Sequence, residues 1–307
     1  MNGKTPGEVK VSVIMNCFNS DKYLKQAVES VLCQTYKNFE LIFWDNQSTD
    51  NSSKIIKSYD ENRIKYYYAD EFTSLGNARN LAISKATGEW IAFLDADDIW
   101  HCNKLYESIS ELNKFKDKDN VSLIYTTTEM IDSESNVIGK YVRYDSGNIH
   151  NSLLKDKNFI VQSSIMVKLA TFNEVGGINP SLSFCPDYDM LLKVSKNNCA
   201  IGINKVLTYY RVHSESITST KIYDNTIEVT DFMINYLKEN PQNILLNLFV
   251  KKNIIYGITA LILKLLLKKE IKNILAVFRK YYMYILFSPI VLAEIIINRI
   301  KNIKARS

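Results

Sequence analysis

Residues 90–98 read WIAFLDADD, an apolar run that ends in three acids within four residues. Such a run predicts a buried strand that delivers carboxylates to the edge of a parallel sheet. Carboxylates packed this closely raise one another's pKa unless a cation or hydrogen-bond donors neutralise them. Mg²⁺ or Mn²⁺ suits such oxygen ligands, and Mg²⁺ usually combines one or two carboxylates with substrate phosphates. The stretch therefore predicts a metal-bound nucleotide diphosphate; the alternative is an Asp-rich turn that caps the next helix.

The composition is that of a globular protein with reduced thiols. The 307 residues suffice for one large domain or for one domain with an appendage. Five cysteines without a CxxC pair argue against a disulfide framework or a zinc cluster. The first ten residues are polar, so we expect no signal peptide and a cytoplasmic protein.

The net charge of +5 is distributed unevenly. Residues 251–307 contain twelve Lys or Arg and two Glu, a net charge of +10, so residues 1–250 have a net charge of −5. A basic, apolar tail on a mildly acidic body favours a surface for anionic lipid over a nucleic-acid footprint. We therefore expect no nucleic-acid partner.

The first hundred residues alternate apolar, β-rich runs with amphipathic helices, a pattern typical of a parallel sheet flanked by helices. The predicted strands are Val9–Met15, Glu40–Trp44, Ile64–Tyr68 and Trp90–Leu94, and the predicted helices are Lys22–Cys33, Ser52–Ser58 and Gly76–Lys85. Ligands of open α/β sheets bind outside the carboxyl ends of the strands. Three polar clusters, at residues 16–19, 45–50 and 95–98, fall there and are expected to form one site.

The second hundred residues change to strands and hairpins. The predicted elements are strands at Val121–Thr127, Val137–Arg143, Ser163–Val167 and Lys205–Arg211, a turn at Asp132–Asn136 and a helix at Asp187–Lys196. Beyond about Thr226 the sequence predicts helices only. The predicted fold class is therefore α/β, a nucleotide-binding sheet flanked by helices, with an α-helical C-terminal appendage.

Five motifs follow one another over residues 9–100. They read VSVIMNCFN (11–19), SVLCQTYKNFE (30–40), WDNQSTD (44–50), GNARN (76–80) and FLDADD (93–98). In order and spacing they resemble the inverting family 2 glycosyltransferases of the GT-A fold, whose motifs are VSVIIPTYN, SILxQTYxNxE, VDDGSTD, GxARN and FLDxDD. Weaker matches at residues 187–189 (DYD) and 210–213 (YRVH) extend the resemblance to about residue 220.

The resemblance implies a GT-A catalytic domain over residues 1–225, followed by a basic helical region over residues 226–307. It implies inverting transfer of a sugar from a nucleotide-diphosphate sugar to an acceptor hydroxyl, with Mn²⁺ or Mg²⁺ as cofactor. Together with the tail, it favours a saccharide or lipid-linked saccharide acceptor in bacterial surface-polysaccharide synthesis.

The resemblance also implies a metal site in the acidic loop. It makes Asp97 the metal ligand, while Asp95 contacts the ribose or a metal-bound water. His213 is a further metal or diphosphate contact, with a purely structural histidine as the alternative. Asp98 either joins the metal shell or caps the helix that we expect after residue 100.

Inverting transfer needs a general base at the attacking hydroxyl, on the face of the sugar opposite the leaving diphosphate. By resemblance this base is Asp187. The family has a Glu-Asp pair at this position, whereas this chain has Pro186 in place of the Glu. Asp189 is the alternative base, although on a helix it would face elsewhere or act as a first-turn acid.

The donor nucleotide is expected at the first two polar clusters. Phe18 packs near the base of the nucleotide. Asn46 stands where the family commonly has an Asp facing a pyrimidine ring, and an amide can both accept and donate there. Arg79 suits a phosphate or a base carbonyl, with a bridge between acidic side chains as the alternative. The predicted donor-binding residues are Asn16, Phe18, Asn19, Asp45, Asn46, Arg79, Asp95 and Arg211.

The tail contains two uncharged runs, Asn253–Leu263 and Tyr281–Ala293, both shorter than the ~20 residues that cross a bilayer. Lys and Arg residues flank both runs. This arrangement favours amphipathic helices bound peripherally to the inner face of the cytoplasmic membrane. The alternative is that the helices pack on the catalytic domain or on a second subunit of a homo-oligomer.

Two other classes of protein are alternatives. A sugar nucleotidyltransferase also uses Asp and a metal ion, but it normally has a Gly-rich phosphate loop where this chain has NCFN at residues 16–19. The third class is a non-catalytic sugar-nucleotide-binding or scaffold protein, which the loss of the Glu before Asp187 makes slightly more credible.

Overall fold

The computed structural model describes residues 9–156, 158–214, 221–241, 244–268 and 270–285. The chain forms two compact units, one of Met1–Leu153 with Asn158–Ser219 and one of Leu154–Lys157 with Thr220–Ser307. The catalytic role of residues 1–225 and the membrane role of residues 226–307 stay predictions.

A mixed sheet of nine strands forms the centre of the first unit. The strands are β1 (Val11–Cys17), β2 (Phe39–Asp45), β3 (Ile64–Tyr68), β4 (Trp90–Phe93), β5 (Ile99–Trp100), β6 (Val121–Ile131), β7 (Val137–Tyr141), β8 (Met166–Lys168) and β9 (Cys199–Arg211). Their order is β3-β2-β1-β4-β8-β6-β9-β5, with β7 paired to β6. The first four strands are parallel, and β8 joins β4 and β6 in antiparallel pairing. The predicted parallel sheet of the first hundred residues is confirmed.

Helices connect and flank these strands. In chain order they are α1 (Asp21–Leu32), α2 (Ser52–Lys57), α3 (Leu75–Ile83), α4 (Lys104–Lys114), α5 (His150–Asp156), α6 (Leu169–Glu174) and α7 (Pro186–Ser195), followed in the second unit by α8 (Ile222–Glu239), α9 (Ile244–Leu267) and α10 (Ile271–Ile285). The predicted α/β fold with a helical C-terminal appendage is confirmed, and residue 225 lies within α8.

The sheet is rigid where it carries the polar clusters. Every residue of β2, and all but one residue of β1, is buried, as expected for parallel strands covered on both faces. Helix α1 buries Leu24, Val28 and Val31 in the same core. Each fully buried side chain of this size contributes roughly 1.5–3 kcal/mol. The core therefore fixes the carboxyl ends of β1 and β2 relative to each other.

Two expectations for residues near the acidic loop are wrong. Residues Ile99–Trp100 form β5, which pairs with β9 at Thr208 and Tyr209, and α4 begins only at Lys104. Asp98 therefore caps no helix. The strand predicted at Ser163–Val167 is a 3₁₀ turn over Gln162–Ser164, followed by the short strand β8.

Candidate functional site

The polar clusters after β1 and β2 are hydrogen-bonded to each other at one edge of the sheet. The side-chain oxygen of Asn19 accepts a hydrogen bond of 2.8 Å from the backbone N–H of Thr49. The carboxylate of Asp45 accepts one of 2.7 Å from the backbone N–H of Ser48 and one of 2.9 Å from the Tyr66 hydroxyl. Asn19 and Asp45 thus shape the two loops, and Asp45 is fully buried. This differs from the direct nucleotide contact expected of Asp45.

Asn46 also holds a loop. Its side-chain amide donates to the carbonyl oxygen of Thr73 at 2.9 Å, and its carbonyl oxygen accepts from the Thr73 backbone N–H at 3.3 Å. The residue is 5% exposed. Because both amide groups are engaged within the protein, Asn46 positions the segment that leads into α3, and its contact with a pyrimidine stays a prediction.

Two aromatic rings stand exposed beside this edge. Phe18 and Phe72 are 47% and 57% exposed, and their ring centroids lie 4.8 Å apart. An exposed aromatic pair offers a face on which a planar base can stack. The side-chain nitrogen of Asn16, at the end of β1, is buried and has no hydrogen-bond partner among the described residues. Phe18 thus exposes a ring face, and Asn16 keeps a side-chain nitrogen without a partner among the described residues.

Arg79 connects the acidic loop to the candidate base. Its guanidinium donates to the Asp95 carboxylate at 2.7 Å, and its side chain is only 7% exposed. Its positive charge also lowers the pKa of Asp187, against the larger effect of burial. Arg79 is thus ion-paired with Asp95, and its role at a phosphate or a base carbonyl stays a prediction.

Asp97 and His213 lie side by side and offer a carboxylate oxygen and an imidazole nitrogen. The Nε2 atom of His213 is 3.0 Å from the Asp97 carboxylate, which is one-third exposed. Burial raises the pKa of Asp97, the charge of Asp95 raises it further, and His213 opposes both. Within the residues that the structure describes, no group of three or more His, Cys, Asp or Glu side chains is arranged to hold a metal ion.

The residues present nevertheless fit a divalent cation. A carboxylate with an imidazole suits Mn²⁺, and Mg²⁺ commonly takes one or two protein ligands together with phosphate oxygens and water. The mutual repulsion between Asp95 and Asp97 is relieved by positive charge. Asp97 and His213 are therefore the candidate protein ligands of a metal that a diphosphate completes.

Asp98 is a structural acid. It is 1% exposed, accepts hydrogen bonds from the Ser163 hydroxyl and, at 2.8 Å, from the backbone N–H of Arg211. Burial, reinforced by the charges of Asp97 and Asp95, raises the pKa of Asp98 well above its usual range. Asp98 therefore fastens the acidic loop to β9 and does not belong to a metal shell.

Arg211 is engaged entirely within the protein. Its guanidinium donates to the carbonyl oxygens of Asp97 at 2.9 Å and Asp132 at 3.0 Å, and to the side chain of Gln26 at 2.8 Å. The same group lies 4.4 Å from the ring centroid of Tyr23, and the residue is 1% exposed. Arg211 thus fixes the Asp97 backbone, which corrects its expected role in donor binding.

The two candidate bases differ in their surroundings. Asp187 lies in the first turn of α7 and accepts a 2.9 Å hydrogen bond from the Asn158 side chain. Burial raises the pKa of Asp187. Asp189 is 7% exposed and forms an ion pair of 2.7 Å with Lys193. The geometry favours Asp187, because the Asp189 carboxylate is already neutralised.

The sequence alone did not assign residues 158–164 to the site. We call these residues the linking segment. At one end Asn158 bonds Asp187, and at the other the Ser163 hydroxyl accepts from the Asp95 backbone N–H at 3.0 Å and donates to Asp98. The sequence signal that could have assigned this segment to the site is a pair of serines that interrupts an apolar run. The linking segment spans the interval between the candidate base and the acidic loop.

Comparison with known proteins identifies the family. The glycosyl transferase family 2 model matches residues 12–176. The chain is 33% identical over 216 residues to the Escherichia coli UDP-Glc:alpha-D-GlcNAc-diphosphoundecaprenol beta-1,3-glucosyltransferase WfgD, with 69% of this chain and 80% of that protein covered. An uncharacterized glycosyltransferase of Rickettsia conorii is 32% identical over 236 residues, which are 75% of this chain but only 38% of that protein.

Solved structures share the fold at low sequence identity. Staphylococcus aureus TarS 1–349 in complex with UDP-GlcNAc has a TM-score of 0.57 and 18% identity, over 89% of this chain and 92% of that chain. The mannosyltransferase PcManGT from Pyrobaculum calidifontis, in complex with GDP-Man and Mn²⁺, has a TM-score of 0.62 and 14% identity, over 97% of this chain and 88% of that chain.

Proposed function

We propose an inverting sugar transfer for this chain, which belongs to glycosyl transferase family 2 and is therefore a glycosyl-transfer enzyme. The sugar moves from a nucleotide-diphosphate sugar to an acceptor hydroxyl. One observation carries the proposal. The linking segment bonds Asp187 through Asn158 and the Asp95 backbone through Ser163, and Arg79 pairs with the Asp95 carboxylate. The candidate diphosphate site and the candidate base therefore belong to one site.

The proposed base is Asp187. It takes the proton from the acceptor hydroxyl as that oxygen attacks the anomeric carbon and the bond to the diphosphate breaks. A raised pKa makes a carboxylate a stronger base near neutral pH, and burial raises the pKa of Asp187. The hydrogen bond from Asn158 orients the carboxylate.

The proposed metal ligands are Asp97 and His213. A bound Mn²⁺ or Mg²⁺ stabilises the negative charge that develops on the leaving diphosphate. Arg211 holds the Asp97 backbone through a 2.9 Å hydrogen bond, so the carboxylate is positioned before substrate arrives. Preorganised charge of this kind is commonly the largest contribution to such catalysis.

The proposed substrates follow from the relatives and the exposed groups. Phe18 with Phe72, and the side chain of Asn16, are the groups proposed to contact the nucleotide. WfgD is named for a UDP-sugar donor and a diphosphoundecaprenol-linked acceptor. We infer for this chain a nucleotide-diphosphate sugar donor and a lipid-linked saccharide acceptor in bacterial surface-polysaccharide synthesis.

A donor panel tests the proposed function. The full chain is incubated with Mn²⁺ and UDP-glucose, UDP-N-acetylglucosamine or GDP-mannose, and release of the nucleotide diphosphate is followed with and without a diphosphoundecaprenol-linked saccharide. Release that requires the acceptor supports the proposal. Binding without turnover identifies a non-catalytic sugar-nucleotide-binding protein, and pyrophosphate formation from a nucleoside triphosphate and a sugar phosphate identifies a nucleotidyltransferase.

We further propose that the second unit binds the inner face of the cytoplasmic membrane. In α10, Ile271, Leu275 and Phe278 form one row and are 68%, 59% and 42% exposed. Lys272 and Arg279 lie beside this apolar row and match the charge of anionic lipid. None of the helices in the described ranges combines the length and the hydropathy needed to span a bilayer. The run Tyr281–Ala293 extends beyond residue 285, outside the described residues.

The double substitution Leu275→Glu with Phe278→Glu is expected to weaken binding to anionic vesicles by roughly tenfold or more, because two apolar side chains no longer insert. Co-sedimentation measures the effect. Salt should weaken binding of the unaltered chain only in part, because screening acts on the basic residues and not on the apolar row.

The matched control places two Glu residues at Val137 and Ile138, exposed apolar positions of the first unit at 59% and 54%. This variant should bind vesicles like the unaltered chain. Should the unaltered chain stay in the supernatant with both anionic and neutral vesicles, the membrane proposal fails. Light scattering then decides whether the second unit forms a homo-oligomer.

A further inference from the structure

The side chain of Gln162 is buried with both of its polar groups unused. It is 7% exposed, and neither its nitrogen nor its oxygen has a hydrogen-bond partner in the described part of the chain. By contrast, the fully buried Gln34 donates to the carbonyl oxygens of Ser30 and His101 and accepts from the backbone N–H of Leu105. Buried polar groups are nearly always hydrogen-bonded, so an amide left unused at both ends indicates a missing partner.

The backbone around Gln162 is held firmly. Its carbonyl oxygen accepts a 3.1 Å hydrogen bond from the Ile165 backbone N–H. The indole N–H of Trp100 donates to the Ser163 carbonyl oxygen at 2.7 Å. The 3₁₀ turn that carries the side chain is therefore fixed, which lowers the entropy that the side chain would lose on binding.

Gln162 lies in the linking segment, between the two chemical parts of the site. Asn158, four residues before it, bonds the candidate base Asp187. Ser163, directly after it, is bonded to the backbone of Asp95 in the acidic loop. In an inverting transfer the sugar ring lies between the leaving diphosphate and the base that activates the acceptor. The linking segment likewise runs from the residue that bonds the candidate base to the residue that bonds the acidic loop.

We propose that the side-chain amide of Gln162 binds ring hydroxyl groups of the transferred sugar. A carboxamide donates through its nitrogen and accepts through its oxygen, and neighbouring hydroxyls can do the reverse. The buried amide would then gain its partners when the donor binds. The inference rests on the proposed function, because it takes the substrate to be a nucleotide-diphosphate sugar.

Gln162→Leu tests the assignment, because leucine has similar size but no polar atoms. We measure the Kd of UDP, UDP-glucose and UDP-N-acetylglucosamine with Mn²⁺ by isothermal titration calorimetry. The Kd of UDP should stay unchanged, and the Kd of at least one of the two UDP-sugars should rise roughly tenfold. The Tm should stay the same or rise, since the substitution removes an unused buried amide.

The matched control is Gln34→Leu, which removes an amide with a complete set of partners. It should lower the Tm and leave the ratio of the UDP-sugar Kd to the UDP Kd unchanged. A Gln162→Leu variant that loses as much Tm as the control, or that weakens UDP and both UDP-sugars equally, would overturn the assignment in favour of a structural amide.

Failure of the broader proposal has a different signature. If the unaltered chain binds neither UDP-sugar nor GDP-mannose, the proposed function fails and the role of Gln162 fails with it. If the unaltered chain binds a UDP-sugar and Gln162→Leu binds it equally well, only the role of Gln162 fails.

Discussion

Asp187→Asn is expected to lower turnover by roughly 10²-fold or more while leaving the Kd of the donor sugar nearly unchanged. The reason is that an amide cannot take the proton of the attacking hydroxyl, whereas its shape preserves the donor site. The amide oxygen can still accept the hydrogen bond that Asn158 donates to Asp187. Single-turnover kinetics at saturating donor, together with calorimetric donor binding, measures the two quantities separately.

The same variant should alter the pH dependence. Burial raises the pKa of Asp187. As the solution is acidified, the unaltered enzyme should therefore lose activity at a higher pH than an enzyme whose base is an ordinary aspartate. A carboxyl with a raised pKa in the folded state destabilises the fold when ionised. Removing its charge should therefore not lower the Tm at neutral pH. The acid limb of the rate profile should be absent in Asp187→Asn.

Asp189→Asn is the matched control for the Asp187 variant. Asp189 is buried and paired with Lys193, so its loss should affect the Tm more than the turnover. If Asp187→Asn loses donor binding with little change in turnover, Asp187 is not the general base. A large loss of turnover in Asp189→Asn would identify Asp189 as the base.

The parallel part of the sheet was predictable because its signals are local. Apolar runs of strand length alternate with amphipathic helices from Val11 to Phe93, and β1 to β4 lie within one or two residues of the predicted limits. The short strand β5 was not predictable in the same way. Residues Ile99–Trp100 become a strand because they pair with β9 more than a hundred residues later, a contact without local sequence signal.

Which residues of the candidate site lie near one another was easier to predict than what each of them contacts. Motifs placed Asp97 and His213 together, and the structure brings them to 3.0 Å. The partners of Arg211 and Asn46 depend on loops that are distant in sequence, so side chains suited to a ligand turn out to bind the protein itself. Nothing in the local pattern distinguishes Gln162 from an ordinary polar loop residue, because its lack of partners is a property of the folded state.

Asp97→Ala is expected to abolish metal-dependent binding of the donor while the fold stays intact. The carboxylate is one-third exposed and its side-chain contact is to His213, so its removal should leave the core untouched. Substitutions that merely disturb the orientation of a metal ligand cost roughly 10–100-fold in metal affinity, so losing the ligand itself should cost at least as much. Calorimetry with UDP, with and without Mn²⁺, measures this difference directly.

Two comparisons sharpen the test of Asp97. Asp119→Ala removes an exposed acid outside the acidic loop and should keep the full Mn²⁺ dependence of UDP binding. His213→Ala should reduce that dependence if the imidazole is a second ligand, and should leave it unchanged if His213 only orients the Asp97 carboxylate in the absence of metal. Because Arg211 holds the Asp97 backbone and not its carboxylate, the loop geometry should survive in Asp97→Ala. An undiminished gain in UDP affinity from Mn²⁺ in Asp97→Ala would therefore rule out this residue as a metal ligand.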